Sequence, residues 1–403
     1  MTAPAMPPLA GVRVLDFTWV VAGPVATRIL ADAGAEVIKV ERRALEYVGP
    51  RRAGQQADLN RGKLSVAIDM ASARGLELAR RLAGISDIVI DNFSARVMSN
   101  WGMDYASLAR LKPDIICISM SGLGHTGPLT GYVSFGPTLQ ALTGFTRLMA
   151  GEGGEPAGYG YSYSDMVGGY TGALAALFAL WHRQRTGQGQ FIDLSQLEAL
   201  TGVIGPALLD ISVNGRVQDP VGYHPQERLA APHGVYRCAP EGDDSERWIA
   251  ISVRTQAEWE RFSGTVGSPQ WARDPRFQTL YLRMHNQAEL DRNVARWCAE
   301  RTAEAAMASL QAAGIAAGLV ANGADLCERD PQLESRDFFS VVSLPDGETT
   351  RVSGPPFRLS RTPVTVRARA PEVGENRDYV LGGLLKLSRE EIEALVRDGV
   401  VTA

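Results

Sequence analysis

The sequence predicts an α/β protein built on a parallel sheet, and three observations carry that expectation. Between residues 12 and 119, short β-rich runs alternate with longer stretches of helical spacing, the pattern of βαβ units. The 403-residue chain is 45% hydrophobic and 21% charged, enough apolar material for a large core. Pro and Gly cluster in two places late in the chain, which breaks it into more than one unit.

Residues 12–17 read as the first strand and 24–33 as a helix, with Pro24 tolerated at its start and Gly34 at its end. Residues 36–40 form the next strand, followed by a strand at 66–68, a helix at 71–83, and strands at 87–90 and 115–119. Parallel sheets bind ligands beyond the carboxyl ends of their strands, so the segments after Phe17, Val40 and Ile90 are the places to look. Residues 131–215 turn helical. Pro and Gly then punctuate residues 217–242, a strand and helices follow over 248–324, and a second break at Ser353-Gly-Pro-Pro precedes a tail. That tail ends in a helix opened by the capping box Ser388-x-x-Glu391. The expected division is 1–216, 217–330 and 331–403.

Lys and Arg total 41 against 45 Asp and Glu, a net charge of −4, which argues against a general nucleic-acid binder. Cys117, Cys238, Cys298 and Cys327 share no short spacing and the five histidines are dispersed, so neither a disulfide framework nor a metal site is expected. The N-terminus lacks the charge and apolar pattern of a signal peptide, and the most apolar helical run, 172–181, is about half the ~20 residues that span a bilayer. These points lead to the expectation of a cytoplasmic protein with no membrane contact.

Residues 42–63 carry Arg42, Arg43, Arg51, Arg52, Arg61 and Lys63 against Glu46 and Asp58, a local excess of +4. Such a segment after a strand suits phosphate binding, and it also suits a solvated loop. Gly122-x-Gly124-x-x-Gly127 matches a dinucleotide motif in spelling only: Pro128 and Gly131 follow, so no helix opens to face a pyrophosphate. Asp165 lies between a Gly/Tyr-rich stretch and an apolar helix expected from Met166 onward, which should be buried. It reads first as that helix's N-cap, with a nucleophile beside a ligand-admitting loop as the second reading. His125, in a Gly-rich loop, is a secondary candidate; His182, His224, His233 and His285 have no evident partner.

Six segments, at 9–41, 59–70, 86–93, 121–128, 163–195 and 231–238, together resemble the class III coenzyme A transferases, the family of formyl-CoA transferase and carnitine CoA-transferase. The resemblance implies a Rossmann-like large domain built from both chain ends, a smaller α+β domain between them, and a homodimer of interlocked rings. It places Asp165 on the family's nucleophilic aspartate, which forms an anhydride with the acyl group and then a thioester with CoA. It assigns Arg42 and Lys63 to the phosphates and adenine of CoA, Asn92 and Phe93 to the pantetheine path, and Val20 and Val21 to the thioester end. The implied partners are an acyl-CoA and an acceptor carboxylic acid, with CoA as substrate and no resident cofactor.

The departures narrow this. Formyl-CoA transferase has Gln where Val21 stands, and its four-glycine flap is absent, which turns the expectation away from formyl-CoA and oxalate. The family's usual basic residue after Asn-Phe is replaced by Ser94-Ala95, with Arg96 as the candidate to take over its contact. The alternative is an α-methylacyl-CoA racemase of the same fold, which pairs the Asp with a His. Here the corresponding stretch is Val133-Ser-Phe-Gly-Pro137, with only His125 as a substitute.

Overall fold

The computed structural model describes residues 6–42, 54–151, 154–158, 160–217, 229–242 and 246–402. Arg43, Glu46, Arg51 and Arg52 of the basic segment lie outside the described residues, as do residues 218–228 of the Pro/Gly-rich stretch that begins at 217. The chain divides into two compact units, one of residues 1–146, 158–217 and 333–403, the other of residues 147–157 and 218–332.

The first unit is organised by a six-stranded sheet: β1 (Arg13–Asp16), β2 (Glu36–Glu41), β3 (Leu64–Ala67), β4 (Ile88–Asp91), β5 (Ile116–Ser119) and β6 (Gln190–Asp193). The order across the sheet is β3-β2-β1-β4-β5-β6 and every pairing is parallel. This is the order of the doubly wound dinucleotide-binding sheet, whose direction of winding reverses between β1 and β4. The central strands are apolar at successive positions because both faces are covered. Val14, Val37, Ile88, Ile90, Ile116 and Ile118 belong to one core layer. Leu15, Ile38, Val40, Val66, Val89 and Cys117 belong to the other. Strand β6 escaped the sequence reading because its residues alternate half-buried and exposed at the sheet edge, with Gln190 and Asp193 at its ends.

Helix α1 (Ala22–Asp32) follows β1; α2 (Gly54–Asn60) and α3 (Ala73–Gly84) flank β3; and α4 (Tyr105–Leu111) precedes β5. Residues 120–134 run as an irregular loop to α5 (Gly136–Leu142), so no helix opens on the Gly122–Gly127 motif. The long helix α6 (Tyr163–Thr186) leads into β6, then α7 (Gln196–Val203) and α8 (Gly205–Asn214). The chain re-enters this unit at Leu333, forms the hairpin β10–β11 (Phe339–Ser343, Thr349–Ser353), and ends in a helix at Arg389–Arg397 opened by the Ser388/Glu391 capping box. Ile392, Leu395 and Val401 complete the same core layer as Leu15.

The second unit holds a three-stranded antiparallel sheet of β7 (His233–Arg237), β8 (Trp248–Ser252) and β9 (Ala316–Leu319). Its core gathers Trp259, Phe262, Phe277, Leu290 and Val294. The guanidinium of Arg283 is buried there, 4.6 Å above the Trp259 ring and bonded to the carbonyls of Ala231 and Phe277.

Helix α6 departs from expectation in two ways. It begins at Tyr163 rather than Met166, because Ser162 takes the cap position. Nor is it buried all round. Its buried face is made of small residues, Ser164, Gly168, Gly169, Gly172, Ala173 and Ala176, while Tyr170, Leu174, Leu177, Phe178 and Trp181 are exposed. The small face exists to admit α1: a methyl at Gly169 would sit 2.5 Å from Val25 Cβ and 2.7 Å from the Ala22 carbonyl. Gly169→Ala is therefore expected to lower stability by about 1–3 kcal/mol through overpacking. Gly264→Ala, where a methyl meets nothing within 4 Å, should be neutral or mildly stabilising. Urea unfolding of the two variants makes the comparison.

Candidate functional site

The reversal point of the sheet lies between the carboxyl ends of β1 and β4, and the turns leaving these two strands are tied together. Asp16 ends β1 fully buried. Its Oδ1 accepts from the Thr18 backbone N–H at 2.8 Å and the Thr18 hydroxyl at 2.5 Å, and its Oδ2 accepts from Lys63 Nζ at 3.3 Å. Lys39 Nζ, from β2, donates to the Thr18 carbonyl at 2.5 Å. Burial alone would raise the Asp16 carboxyl, but Lys39 and Lys63 reverse this and hold it below its ordinary value. One residue further, Asn92 clamps the Trp19 backbone in both directions: Trp19 N–H donates to Asn92 Oδ1 and Asn92 Nδ2 donates to the Trp19 carbonyl, each at 2.9 Å. So held, Val20 takes φ 61°, a left-handed conformation that a β-branched residue adopts only under constraint.

Two cavities flank this strained turn. The first, about 440 Å³, has an aromatic wall of Phe17, Trp19, Phe93 and Trp101, with Lys39, Glu41, Arg42 and Asp69 as its charged residues. Phe93 and Trp101 meet edge to face at 5.4 Å. The second, about 250 Å³, contains Asp165 together with Val21, Asn92, Ser121 and Gln196. Trp19, Val20 and Phe93 line both, so the cavities abut at that turn.

Six of the nine residues singled out in the sequence therefore converge: Arg42 at the rim of the first cavity, Val21, Asn92 and Asp165 in the second, and Val20 and Phe93 at the junction. Three do not. Lys63 is fully buried, its ammonium bonded to Asp16, the Pro24 carbonyl and Asn60 Oδ1, and it lines neither cavity. Its role is to balance the Asp16 carboxylate inside the fold, not to meet a phosphate. Arg96 is exposed at the start of a short helical turn, near Gly131, and lines neither cavity. His125 opens into a third cavity of about 320 Å³ with Asp91, Cys117 and Ser119, apart from Asp165. Burial lowers the His125 imidazole, partly offset by Asp193. Burial raises Asp91 to about 6, against the hydrogen bonds from Ser119 and the Phe93 N–H. The Cys117 thiol is pushed up to about 12 by burial and by the nearby carboxylates of Asp91 and Asp104.

Asp165 occupies the third position of α6 rather than its cap, one turn before the glycines that face α1. Its surroundings are tight on the α5 side. A methyl at Gly136 would lie 1.5 Å from Ser162 Oγ and 2.9 Å from Asp165 Oδ2, so only glycine lets α5 pass over the carboxylate. Burial raises the Asp165 carboxyl above the ordinary carboxylate range. The Ser162 hydroxyl lies close enough to offset part of the rise, without the geometry of a full hydrogen bond. The first turn of a helix favours a negative charge, so the position suits a carboxylate that is shielded yet ionisable.

Lys39, Trp19, Trp101, Ser121 and Gln196 were not singled out in the sequence. A lone lysine within the apolar run EVIKVE was the one signal available for Lys39. The others are ordinary residues until the fold brings them together.

The sequence model described as CoA-transferase family III matches residues 9–377. A probable CoA-transferase of Mycobacterium tuberculosis is 33% identical over 98% of the chain, and the chain spans half the length of that relative. A succinyl-CoA–D-citramalate CoA-transferase of Chloroflexus aurantiacus is 31% identical, covering 98% of each chain. A CAIB/BAIF family protein of Brucella suis has a crystal structure that superposes with a TM-score of 0.84 at 28% identity, covering 96% of this chain and all of that one.

The position of Lys63 yields a test. Lys63→Met leaves the buried Asp16 carboxylate short of one counter-charge and should cost about 3–5 kcal/mol in chemical denaturation. Unchanged stability would contradict its assignment to the fold.

Proposed function

Because the chain belongs to CoA-transferase family III, we propose that it moves CoA from an acyl-CoA donor to an acceptor carboxylic acid through covalent intermediates on Asp165. The observation that carries this reading is a half-buried carboxylate in the second of two abutting cavities, the first of which bears aromatic rings and the cations Lys39 and Arg42 beside Glu41 and Asp69. In the first step an Asp165 oxygen attacks the thioester carbonyl, and the C–S bond breaks to give an aspartyl-acyl anhydride and CoA thiolate. The thiolate then attacks the aspartyl carbonyl, releasing the donor acid and leaving an enzyme–CoA thioester. The acceptor carboxylate attacks that thioester, and the thiolate released attacks the acceptor's carbonyl in the new anhydride. The new acyl-CoA departs and the Asp165 carboxylate is restored. Exchanging one carboxylate for another on CoA is nearly thermoneutral, so the chemistry needs no resident cofactor, and an ionised Asp needs no general base.

The parts of CoA follow from the two cavities. The adenine and phosphates suit the first, against the aromatic wall and Arg42; pantetheine passes Val20 and Phe93; the thioester reaches Asp165. Val21 caps α1 without a side-chain hydrogen bond, so the open N-terminus of that helix offers N–H donors to a developing oxyanion. Asn92 serves by holding the Trp19–Val20 turn that shapes this end.

The racemase reading lacks its partner residue: among the described residues no histidine lines the cavity of Asp165. We further propose a homodimer that covers the exposed Tyr170, Leu174, Leu177, Phe178 and Trp181 of α6, since an apolar stripe of that size marks an interface. No single helix among the described residues is long and apolar enough to cross a membrane. We place the enzyme in the cytoplasm, where CoA esters are available and the exposed thiol of Cys327 stays reduced.

Incubation with acyl-CoA alone, followed by hydroxylamine trapping and mass spectrometry, should mark the Asp165 peptide, and Asp165→Ala should show no mark and no turnover. A well-folded Ala variant that keeps most of its turnover would sink the mechanism. Since attack requires the carboxylate and burial raises its pKa, the rate of adduct formation should fall as pH drops, beginning above the ordinary carboxylate range.

Arg42→Ala should raise the apparent constant for acyl-CoA with little change in kcat, because a contact far from the carbonyl is uniform across ground and transition states. If wild type and variant lose the same factor on 3′-dephospho-CoA esters, Arg42 does not contact that phosphate.

A further inference from the structure

We propose that Asp91 is a positioning residue for the acyl-CoA groove: anchored by Ser119, it fixes the bend that carries Phe93 into both cavities. This rests on the transferase reading above, which makes CoA the occupant of those cavities. Asp91 ends β4 and Ser119 ends β5, opposite each other in the parallel register. Both are buried, at 3% and 5% exposure. Asp91 Oδ2 accepts from the Ser119 hydroxyl at 2.7 Å, and its Oδ1 accepts from the Phe93 backbone N–H at 3.1 Å. The Met120 N–H donates to the Asp91 carbonyl at 2.9 Å, which holds the residue by its backbone as well.

A carboxylate bonded to the N–H two residues on closes an Asx turn, the device that bends a chain straight after a strand. The bend has two products. Asn92 comes to face the Trp19 backbone, which it clamps in both directions. Phe93 is turned over to line both cavities, its ring 6.5 Å from that of Trp19 and 5.4 Å from that of Trp101. Asp91 lines neither cavity itself, so it acts on a ligand through Phe93.

The chemistry of the side chain separates this role from that of an ordinary turn. Asparagine or serine would close the same turn without a charge. Asp91 keeps a carboxylate in a buried place where, among the described residues, no cation pairs with it. The titratable groups that share its cavity of about 320 Å³ are Cys117 of β5, Asp104 and Tyr105 at the start of α4, and His125 of the 120–134 loop. None supplies a positive charge, because burial lowers the His125 imidazole. Burial accordingly pushes Asp91 up to about 6 against its two hydrogen bonds. What the charge gives in return is stiffness: a hydrogen bond to an ionised acceptor is roughly twice as strong as a neutral one. A wall so held spares the ligand the cost of ordering it on binding.

Calorimetric titration of the whole chain with CoA itself isolates binding, because CoA carries no acyl group for Asp165 to attack. Asp91→Ala, which loses both bonds, should raise the Kd for CoA about tenfold, and Asp91→Asn, which keeps an uncharged acceptor for Phe93, about threefold. Protonated Asp91 is neutral too, so the Asn-to-wild-type ratio of Kd should fall to one as pH drops below about 6. The ratio cancels titration of the ligand's 3′-phosphate, which both proteins meet alike. Thermal melting supplies the contrast: Asp91→Asn should melt no lower than wild type, since it removes a buried charge that lacks a counter-ion. A turn that served stability alone would lower Tm in both variants and leave Kd unmoved. An unchanged Kd in Asp91→Ala, or an Asn ratio that ignores pH, overturns the positioning role while the transferase reading stands. If wild type binds no CoA, that reading fails and the positioning role with it. Should Asp91→Ala not fold, the Asn ratio and its course with pH decide.

Discussion

The site depends on one buried carboxylate. Asp16 lies at the end of the strand where the sheet reverses its winding, and a bare charge there would be untenable. Lys39 and Lys63 make it tenable, and each does so from a different neighbouring element. With the charge balanced, both Asp16–Thr18 hydrogen bonds persist, the chain turns sharply, and Val20 is pressed into a left-handed conformation. Asn92 reaches across from the other strand and pins the same turn. Everything placed around the ligand groove refers back to this knot: Trp19 and Val20 separate the cavities, and Val21 opens the helix whose N-terminus faces the second. A polar network of this kind sacrifices some stability relative to an apolar core and specifies one geometry in return.

The second constraint is the close approach of α1 and α6. Both helices lead away from the site, α1 at its N-terminus and α6 at Asp165. Their separation sets where Asp165 stands relative to the strained turn, and glycine and alanine make that separation small. The cost is that α6 gives its core few large apolar side chains, Met166 and Leu180, both partly buried. Tyr170, Leu174, Leu177, Phe178 and Trp181 remain exposed on its other face.

Much of this was legible in the chain itself. Five of the six strands were, because a strand buried on both faces has little freedom but to be Val- and Ile-rich. Strand β6 was not, because an edge strand with one neighbour carries no such requirement. The capping box at Ser388 was legible because its chemistry is local. The start of α6 was missed by three residues: Asp165 is a good cap in isolation, but the turn at Ser162 takes that position and leaves Asp165 within the helix. Lys63 was misread for a related reason. In sequence it is one of several cations in a basic segment, and nothing local says that β3 will carry it against Asp16, a residue 47 positions earlier. Ser121 and Gln196 left no trace, since their place beside Asp165 is a property of the assembled cavity.

The raised pKa of Asp165 links the nucleophile to its surroundings in a way that residue identity alone does not. A carboxylate in water is a weak nucleophile because water holds its lone pairs. Partial burial beneath Gly136 weakens that shell and leaves a single weak contact from Ser162. Two opposing influences therefore meet on one carboxylate: partial burial raises it, while the first turn of α6 favours its charge.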